Sequence, residues 1–501
     1  MKYISTRSRI KPISSAEAIL QGLAKDGGLF VPEKIPKITL EDIGELQNKT
    51  YEQLSAWLLG KYLTDYTPEE LGECAELAYN WFDVSARVPV AVLVQNSNPT
   101  APVGNMELWH GPTSAFKDIA LQMLPHLMRI ALKKVGETKT ILILVATSGD
   151  TGKAALAGFA DVPQTKIMVF YPDGGVSKIQ KLQMVTQSGS NVNVTAVKGN
   201  FDDAQTGVKK IFGDKNIRSE LNKLNVKLSS ANSINWGRLV PQIAYYFAGY
   251  IELIKTEQIK LGNNIIISVP TGNFGNILAA YYAFRMGLPV KKLICASNKN
   301  NVLTEFFATG TYNRKREFFK TITPSMDILI SSNLERLLYH ESGGDFRKIS
   351  QYMAELKANG KYTIDKNLKT RLDKIFHAEY VTEDETKLFI KRVYNEFKYL
   401  LDTHSAVSIC ALSKYRGKTH DLTPVLSAST ASPYKFTSAV LSALGKSIDG
   451  IDDLKQLKLL NKSTNAKIPK NLAVLSSAQV LHDDICEKEE MAQRVLEFAA
   501  N

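Results

Sequence analysis

Thr140-Ile-Leu-Ile-Leu-Val-Ala146, Thr147-Ser-Gly-Asp-Thr-Gly152 and Lys153-Ala-Ala-Leu-Ala-Gly-Phe-Ala160 follow one another without interruption. The first piece is a continuous apolar run bounded by turn residues, the pattern of a strand buried on both faces, and such strands belong to parallel sheets. The last piece has the composition of a helix. Between them, two glycines let the backbone approach a ligand closely, Ser and Thr hydroxyls offer donors, and the helix start leaves N–H groups without carbonyl partners. Strand, tight turn and helix together form an anion-binding arrangement. The same residues read equally well as helix punctuation, since Asp or Ser beside Gly is a common N-cap.

The grammar occurs a second time, in Asn264-Ile-Ile-Ile-Ser-Val-Pro270, Thr271-Gly-Asn-Phe-Gly-Asn276 and Ile277-Leu-Ala-Ala-Tyr-Tyr-Ala-Phe-Arg285. Here Gly272 and Gly275 open the backbone, and successive N–H groups ahead of the helix make a nest for a dianion without Lys or Arg. The loop lacks both the Gly-x-Gly-x-x-Gly fingerprint and the Lys-Ser/Thr ending of a P-loop, which favours a small phosphate ester over a nucleotide. Lys166–Tyr171, Asn193–Val197, Leu293–Ser297 and Thr423–Ala428 read as further strands alternating with helices, so residues 100 to 300 predict doubly wound parallel sheets. The loops at 147–152, 271–276 and 429–433 each follow such a strand, where parallel sheets bind ligands, and this predicts one shared site.

Upstream stands Glu107-Leu-Trp-His-Gly-Pro-Thr-Ser-Ala-Phe-Lys-Asp118, with Lys117 between a turn and an apolar-patterned helix. An amine at a helix start among apolar neighbours such as Phe116 and Ile119 is pushed toward its neutral, nucleophilic form, which suits capture of a carbonyl cofactor. Asp118 reads as a helix-start carboxylate or as a group orienting the lysine. His110 reads as a turn residue bonded to backbone, with an acid or base role as the alternative.

A lysine for an aldehyde, a glycine-rich helix start for a phosphate and a second such turn for a carboxylate fit pyridoxal 5'-phosphate and an amino acid. These motifs, with Ala24-Lys-Asp-Gly-Gly-Leu-Phe-Val-Pro32, Pro324-Ser-Met-Asp-Ile-Leu-Ile-Ser-Ser-Asn-Leu-Glu-Arg336, Asp402-Thr-His-Ser-Ala-Val407 and Ser429-Thr-Ala-Ser-Pro-Tyr-Lys-Phe436, resemble the threonine synthase family of fold-type II pyridoxal-phosphate enzymes across nearly the whole chain. The resemblance implies an α/β fold of two doubly wound parallel-sheet lobes behind an N-terminal mainly helical domain. It implies a carbon–oxygen lyase converting O-phospho-L-homoserine and water to L-threonine and phosphate by γ-elimination and β-addition of water, the last step of threonine biosynthesis. Lys117 would hold the cofactor and move substrate protons; Gly272, Asn273, Phe274, Gly275 and Asn276 would hold its phosphate; and Thr430 would meet its pyridine nitrogen. Thr147, Ser148, Gly149, Asp150 and Thr151 fall to the substrate carboxylate. Lys153, Asn235 and Arg238 are candidates for the substrate phosphate, with a structural ion pair the alternative for Arg238 and a solvent-facing amine that for Lys153. A dehydratase, a β-replacement enzyme, a phospho-lyase releasing an α-keto acid and a non-catalytic binding protein remain the rivals.

Helical periodicity in Tyr51–Leu59 and Pro68–Leu77 predicts a mainly helical domain over residues 1–95, ahead of a two-lobed region over 96–430 and a C-terminal segment over 431–501 that packs back on it. Residues 300 to 420 read as helical and charged. A chain of 501 residues with 44% apolar content can bury a large core, and no apolar run approaches the roughly 20 residues of a membrane span. The net charge of +12 is dispersed, its densest cluster, Asn313–Lys320, is short, and no nucleic-acid partner is expected. Cys74, Cys295, Cys410 and Cys486 show no metal spacing, and no metal is expected. The polar, basic stretch after Met1-Lys-Tyr-Ile4 and these thiols point to a cytoplasmic protein; the expected state is a monomer or homodimer, which the residues do not decide.

Overall fold

The computed structural model describes residues 1–501 except 94–101, 148 and 175. Two parallel sheets organise it. The smaller lobe holds five strands in the order Ile485–Cys486, Val192–Val197, Thr165–Pro172, Thr140–Ala146 and Val226–Ser229, all parallel. The larger holds six, in the order Phe376–Tyr380, Val290–Ser297, Ile265–Pro270, Val425–Ser429, Val103–Glu107 and Val90–Leu93, parallel except at the last pair. The central strands are those with unbroken apolar runs: every residue of Ile265–Pro270 is buried. That is the expected signature of strands covered by helices on both faces.

Strands with mixed composition escape the sequence pattern. Val226-Lys-Leu-Ser229 and Phe376-His-Ala-Glu-Tyr380 lie at sheet edges, where one flank faces solvent and polar side chains are tolerated, and Val90-Ala-Val-Leu93, apolar but only four residues long, forms another edge. Two of them correct the reading of their regions. Val90–Leu93 belongs to the larger sheet although it falls inside the stretch read as helical, and Phe376–Tyr380 is a strand inside the helical, charged stretch. Tyr3–Ser5 and Phe30–Pro32 pair antiparallel near the N-terminus.

Residues 15–79 otherwise form four helices, Ser15–Gln21, Leu40–Leu46, Tyr51–Tyr62 and Pro68–Tyr79, opened by Ser14, Thr39, Thr50 and Thr67. Each opener accepts from the N–H three residues on, and that residue's side chain returns to the cap, a capping box worth about 1 kcal/mol at the Ser or Thr. This layer is fixed to the helices that follow Lys117: Tyr66 Oη donates to the Leu127 carbonyl at 3.0 Å and Tyr79 Oη to that of Ile119 at 3.1 Å. Residues of the N-terminal layer and both lobes share one continuous core. Near the C-terminus, Ile485–Cys486 extends the smaller sheet and Met491–Ala500 packs on its outer helices, while Thr437–Ala443 and Asp453–Thr464 pack against Glu383–Phe397. Among the described residues, no helix is long and apolar enough to cross a membrane, and no His, Cys, Asp or Glu group is arranged to hold a metal.

Candidate active site

Lys117 opens the helix Lys117–Leu121, and its side chain is 12% exposed. Its Nζ donates to Ser325 Oγ at 3.3 Å and stands 3.8 Å from Asp150 Oδ2. Burial pulls the amine down to about 8; Asp150 opposes the shift, and Arg238 and Lys435 reinforce it. A group so poised is about one-tenth neutral at pH 7, far more than an ordinary lysine, and is so available as a nucleophile or a proton carrier.

Asp150 begins the helix Asp150–Phe159 at the end of the strand Thr140–Ala146. Burial alone would raise its pKa, but Lys435, with Nζ 2.8 Å from Oδ1, and Lys117 hold it well below the usual carboxylate range. Gln180 Nε2 donates to the same oxygen at 3.0 Å. Lys435 is fully buried and also donates to the Thr113 carbonyl at 2.9 Å, tying the turn before Lys117 to the turn after the smaller lobe's strand. Gly149 has φ +144°, and a Cβ there would stand 2.5 Å from the Gln180 amide, so only glycine fits this turn.

The remaining residues read for the substrate carboxylate divide. Ser148 lies outside the described residues. Thr147 Oγ1 accepts from the N–H groups of Gly149 and Gly152 at 3.0 Å each, so its hydroxyl braces the helix start from within. Thr151 is half-buried on the first turn. Asn235 is likewise engaged: its amide donates to the Ile19 carbonyl at 2.9 Å and accepts from Gly237 N–H at 2.9 Å, capping the turn Trp236–Leu239. Lys153 donates to Gln187 Oε1 and is pulled by burial to about 8, which excludes a side chain pointing to solvent.

Arg238 stands apart. It is 7% exposed and Nη1 donates to the Ala231 carbonyl at 2.7 Å, yet no carboxylate lies within ion-pair distance among the described residues. Burial alone lowers it to about 10. The structural ion pair is therefore absent, and a buried guanidinium without a counter-ion is the feature of an anion site.

On the larger lobe, the strand Ile265–Pro270 leads into Thr271–Phe274 and the helix Gly275–Met286. Ser331 Oγ donates to the Gly272 carbonyl at 2.7 Å, and Asn333 N–H to that of Asn273 at 3.1 Å. Phe274 is left-handed at φ +63°, a strain of order 1 kcal/mol for a non-glycine residue, held by ring contacts to Phe307 and Phe376. A Cβ on Gly272 would stand 2.6 Å from the Ser325 carbonyl, whereas one on Gly275 would make only ordinary contact, 3.7 Å from the Asn333 amide and 3.9 Å from that of Gln242. Tyr245 and Tyr246 donate to Asn276 Oδ1, leaving Asn276 Nδ2 buried without a partner among the described residues. The helix-start N–H groups and this orphaned donor suit a phosphate. Thr430, 5% exposed after the strand Val425–Ser429, pairs through its carbonyl with Phe116 N–H at 2.8 Å, while its hydroxyl has no partner among the described residues. An orphaned neutral hydroxyl fits a pyridine nitrogen. These residues fit pyridoxal phosphate.

Family profiles described as "Threonine synthase N terminus", "Pyridoxal-phosphate dependent enzyme" and "Threonine synthase, C-terminal" match residues 2–79, 106–355 and 405–492. Threonine synthase of Saccharomyces cerevisiae is 38% identical over 466 residues, covering 88% of this chain and 89% of that protein. The chain belongs to the threonine synthase family. Human "Threonine synthase-like 1" is 39% identical over 92% of this chain, which spans only 62% of that longer relative. Among solved structures, pyridoxal-phosphate-bound threonine synthase from Brucella melitensis superposes with a TM-score of 0.88 at 34% identity, covering 100% of both chains. The yeast enzyme gives 0.88 at 35%, over 99% of this chain and 98% of that one. The fold-type II class read from the motifs is the fold of this family.

Several groups at the site were beyond the reach of local sequence reading. Ser325, Lys435, Gln180 and the pair Asp402–His404 touch Lys117 directly or through one neighbour. All but Gln180 lie in segments that carry the family resemblance, which was the available signal. His110 is a correction. Its ring bonds Asp83 at 2.8 Å and Glu107 at 2.6 Å, not backbone, and although burial opposes it these carboxylates raise it to about 9. Asp118 is the helix-start carboxylate, standing in the first turn of Lys117–Leu121, and it also braces the turn before it: Thr113 N–H and Oγ1 donate to it at 2.9 and 2.6 Å, and burial raises it to about 6.

Proposed function

We propose that the protein is a threonine synthase, converting O-phospho-L-homoserine and water to L-threonine and inorganic phosphate with pyridoxal phosphate. The observation that carries this reading is the buried, unpaired Arg238 close enough to Lys117 to depress its pKa. With the substrate carboxylate taken by the helix-start N–H groups, that cation is left for a phosphoryl group.

When bound, the cofactor supplies an electron-withdrawing ring that acidifies the substrate's Cα–H. Lys117 holds the cofactor at rest; once released as a neutral amine it removes the protons from Cα and then Cβ, while phosphate departs from Cγ. It returns a proton at Cγ, water adds at Cβ, and reprotonation at Cα gives threonine. Asp150 holds the lysine close without quenching it, because Lys435 shares the carboxylate. The N–H groups of Asp150 and Thr151 receive the substrate carboxylate, Arg238 and Lys153 the substrate phosphate, the Gly272–Asn276 loop the cofactor phosphate, and Thr430 the pyridine nitrogen. Support for these assignments is the unfilled donor capacity described above; Thr147 and Asn235 act by shaping the turns. The division into residues 1–95, 96–430 and 431–501 is part of the same reading, as are a cytoplasmic setting, which suits four buried free thiols, and a monomeric or homodimeric state with no nucleic-acid partner.

The test is incubation of the purified protein with the cofactor and O-phosphohomoserine, with threonine, α-keto acid and phosphate measured together. Threonine and phosphate in equal amounts support the reading. Phosphate with keto acid makes it a phospho-lyase, and no turnover rejects the substrate.

A further inference from the structure

His404 lies on the first turn of the helix Thr403–Thr419 in the larger lobe, 2% exposed. Asp402 caps this helix, accepting from His404 N–H at 2.8 Å, and its Oδ1 stands 3.1 Å from His404 Nδ1. On the other side of the ring, Nε2 is 3.2 Å from the backbone N–H of Ser325. A backbone N–H can only donate, so Nε2 must carry the lone pair, and the ring proton sits on Nδ1 toward Asp402. Ser325 is the residue whose hydroxyl accepts from Lys117 Nζ and whose carbonyl lies against Gly272 in the phosphate loop. The ring also packs on Phe436, with centroids 4.8 Å apart, next to the Lys435 that neutralises Asp150. Asp402 and His404 thus reach the lysine through one peptide unit without touching it.

We propose that His404, fixed as the Nδ1–H tautomer by Asp402, is a positioning residue. It anchors the Ser325 peptide so that the Ser325 hydroxyl aims Lys117 between the cofactor loop and the substrate turn. The inference rests on Lys117 being the cofactor lysine. Rigid placement of a reacting group matters because displacement of about 1 Å costs on the order of 100-fold in rate. A polar side chain that accepts at the Nε2 position replaces this anchor in part; an apolar one does not.

Two measurements test it. The chain has 7 histidines, so selective nitrogen-15 labelling of the apoenzyme, with His404→Gln to assign the signal, reads the tautomer without turnover. A protonated Nδ1 and bare Nε2 at neutral pH are expected; the opposite tautomer or a doubly protonated ring overturns the proposal. In the holoenzyme, His404→Leu lowers kcat by 10- to 100-fold with KM within threefold, His404→Gln recovers most of it, and Ser325→Ala matches His404→Leu. The double variant His404→Leu/Ser325→Ala loses no more than either alone, because both act through one hydroxyl. Multiplying losses, or a loss in His404→Leu with Ser325→Ala fully active, overturn it. Wild-type enzyme that shows the cofactor band but no turnover condemns the substrate reading instead, leaving the tautomer measurement decisive.

Discussion

Replacing Arg238 with methionine should stabilise the fold while crippling recognition of phosphate. Burial pulls the guanidinium from 12.5 to about 10, and at 1.36 kcal/mol per unit this is about 3 kcal/mol of destabilisation borne by the apoenzyme. Methionine removes that cost and occupies much of the same volume. It forfeits the 2.7 Å bond to the Ala231 carbonyl, worth about 1.5–3 kcal/mol with a charged donor, so the net gain is at most on the order of 1 kcal/mol. The variant loses the cation that a phosphoryl group would pair with, and kcat/KM for O-phosphohomoserine should fall by about 100-fold, equivalent to about 3 kcal/mol. Denaturant midpoints of the apoenzymes, with and without inorganic phosphate, read both effects. Wild type should gain up to about 2.7 kcal/mol at phosphate 100-fold above its Kd. The variant should start higher and respond little. A variant less stable than wild type that keeps the full phosphate response would refute the reasoning.

Asp150→Asn deprives Lys435 and Lys117 of their shared carboxylate; it should cost about 3–5 kcal/mol, as breaking a buried pair does, and lower the Lys117 pKa below about 8. The pH dependence of cofactor capture by the apoenzyme should move to lower pH, and movement to higher pH would be inconsistent with Asp150 raising the amine. Gly272→Ala drives a Cβ to within 2.6 Å of the Ser325 carbonyl, so cofactor affinity should fall by at least 10-fold in an absorbance titration, while Gly275→Ala, whose Cβ comes no nearer than 3.7 Å to any neighbour, is milder. His110 links Asp83 to Glu107 as a cation with its pKa raised from 6.5 to about 9. Its contribution, on the order of 2 kcal/mol with Asp83 partly exposed, is complete below pH 6.5 and lost as pH rises through about 9. The stability of His110→Gln should accordingly lose that component of pH dependence between 6.5 and 9.

The parts of the site legible in the sequence were those in which function and local structure share the same few residues. Lys117 at a helix start, the turn after Ala146 and the loop after Pro270 each combine a strand, glycines and a helix within about a dozen residues, so periodicity and turn chemistry reveal them together. What stayed hidden depends on tertiary approach. Ser325 lies 208 residues from Lys117, and Lys435 lies 322 from the Thr113 carbonyl it holds. No local pattern marks a lysine as the counter-ion of a distant aspartate. Arg238 shows the limit from the other side, because its meaning is the lack of a carboxylate partner among the described residues, which only the surroundings reveal. Thr147 and Asn235 had the right chemistry in the right loops, but their hydrogen-bonding capacity is spent on the turns themselves. His110, beside Gly111-Pro112, has the local signature of a turn residue; Glu107 lies only three residues away, but Asp83 arrives only when Val90–Leu93 pairs with Val103–Glu107.

The central claim is that Lys117, and no other amine, holds the cofactor. Lys153 is buried nearby with a pKa also near 8, and Lys435 is closer still to Asp150, so the claim is not trivial. Borohydride reduction of the holoenzyme fixes the cofactor to its lysine, and peptide mass mapping locates it. The modification should fall on the peptide containing Lys117 and vanish in Lys117→Ala; modification of Lys153 or Lys435 in the wild type would contradict the account.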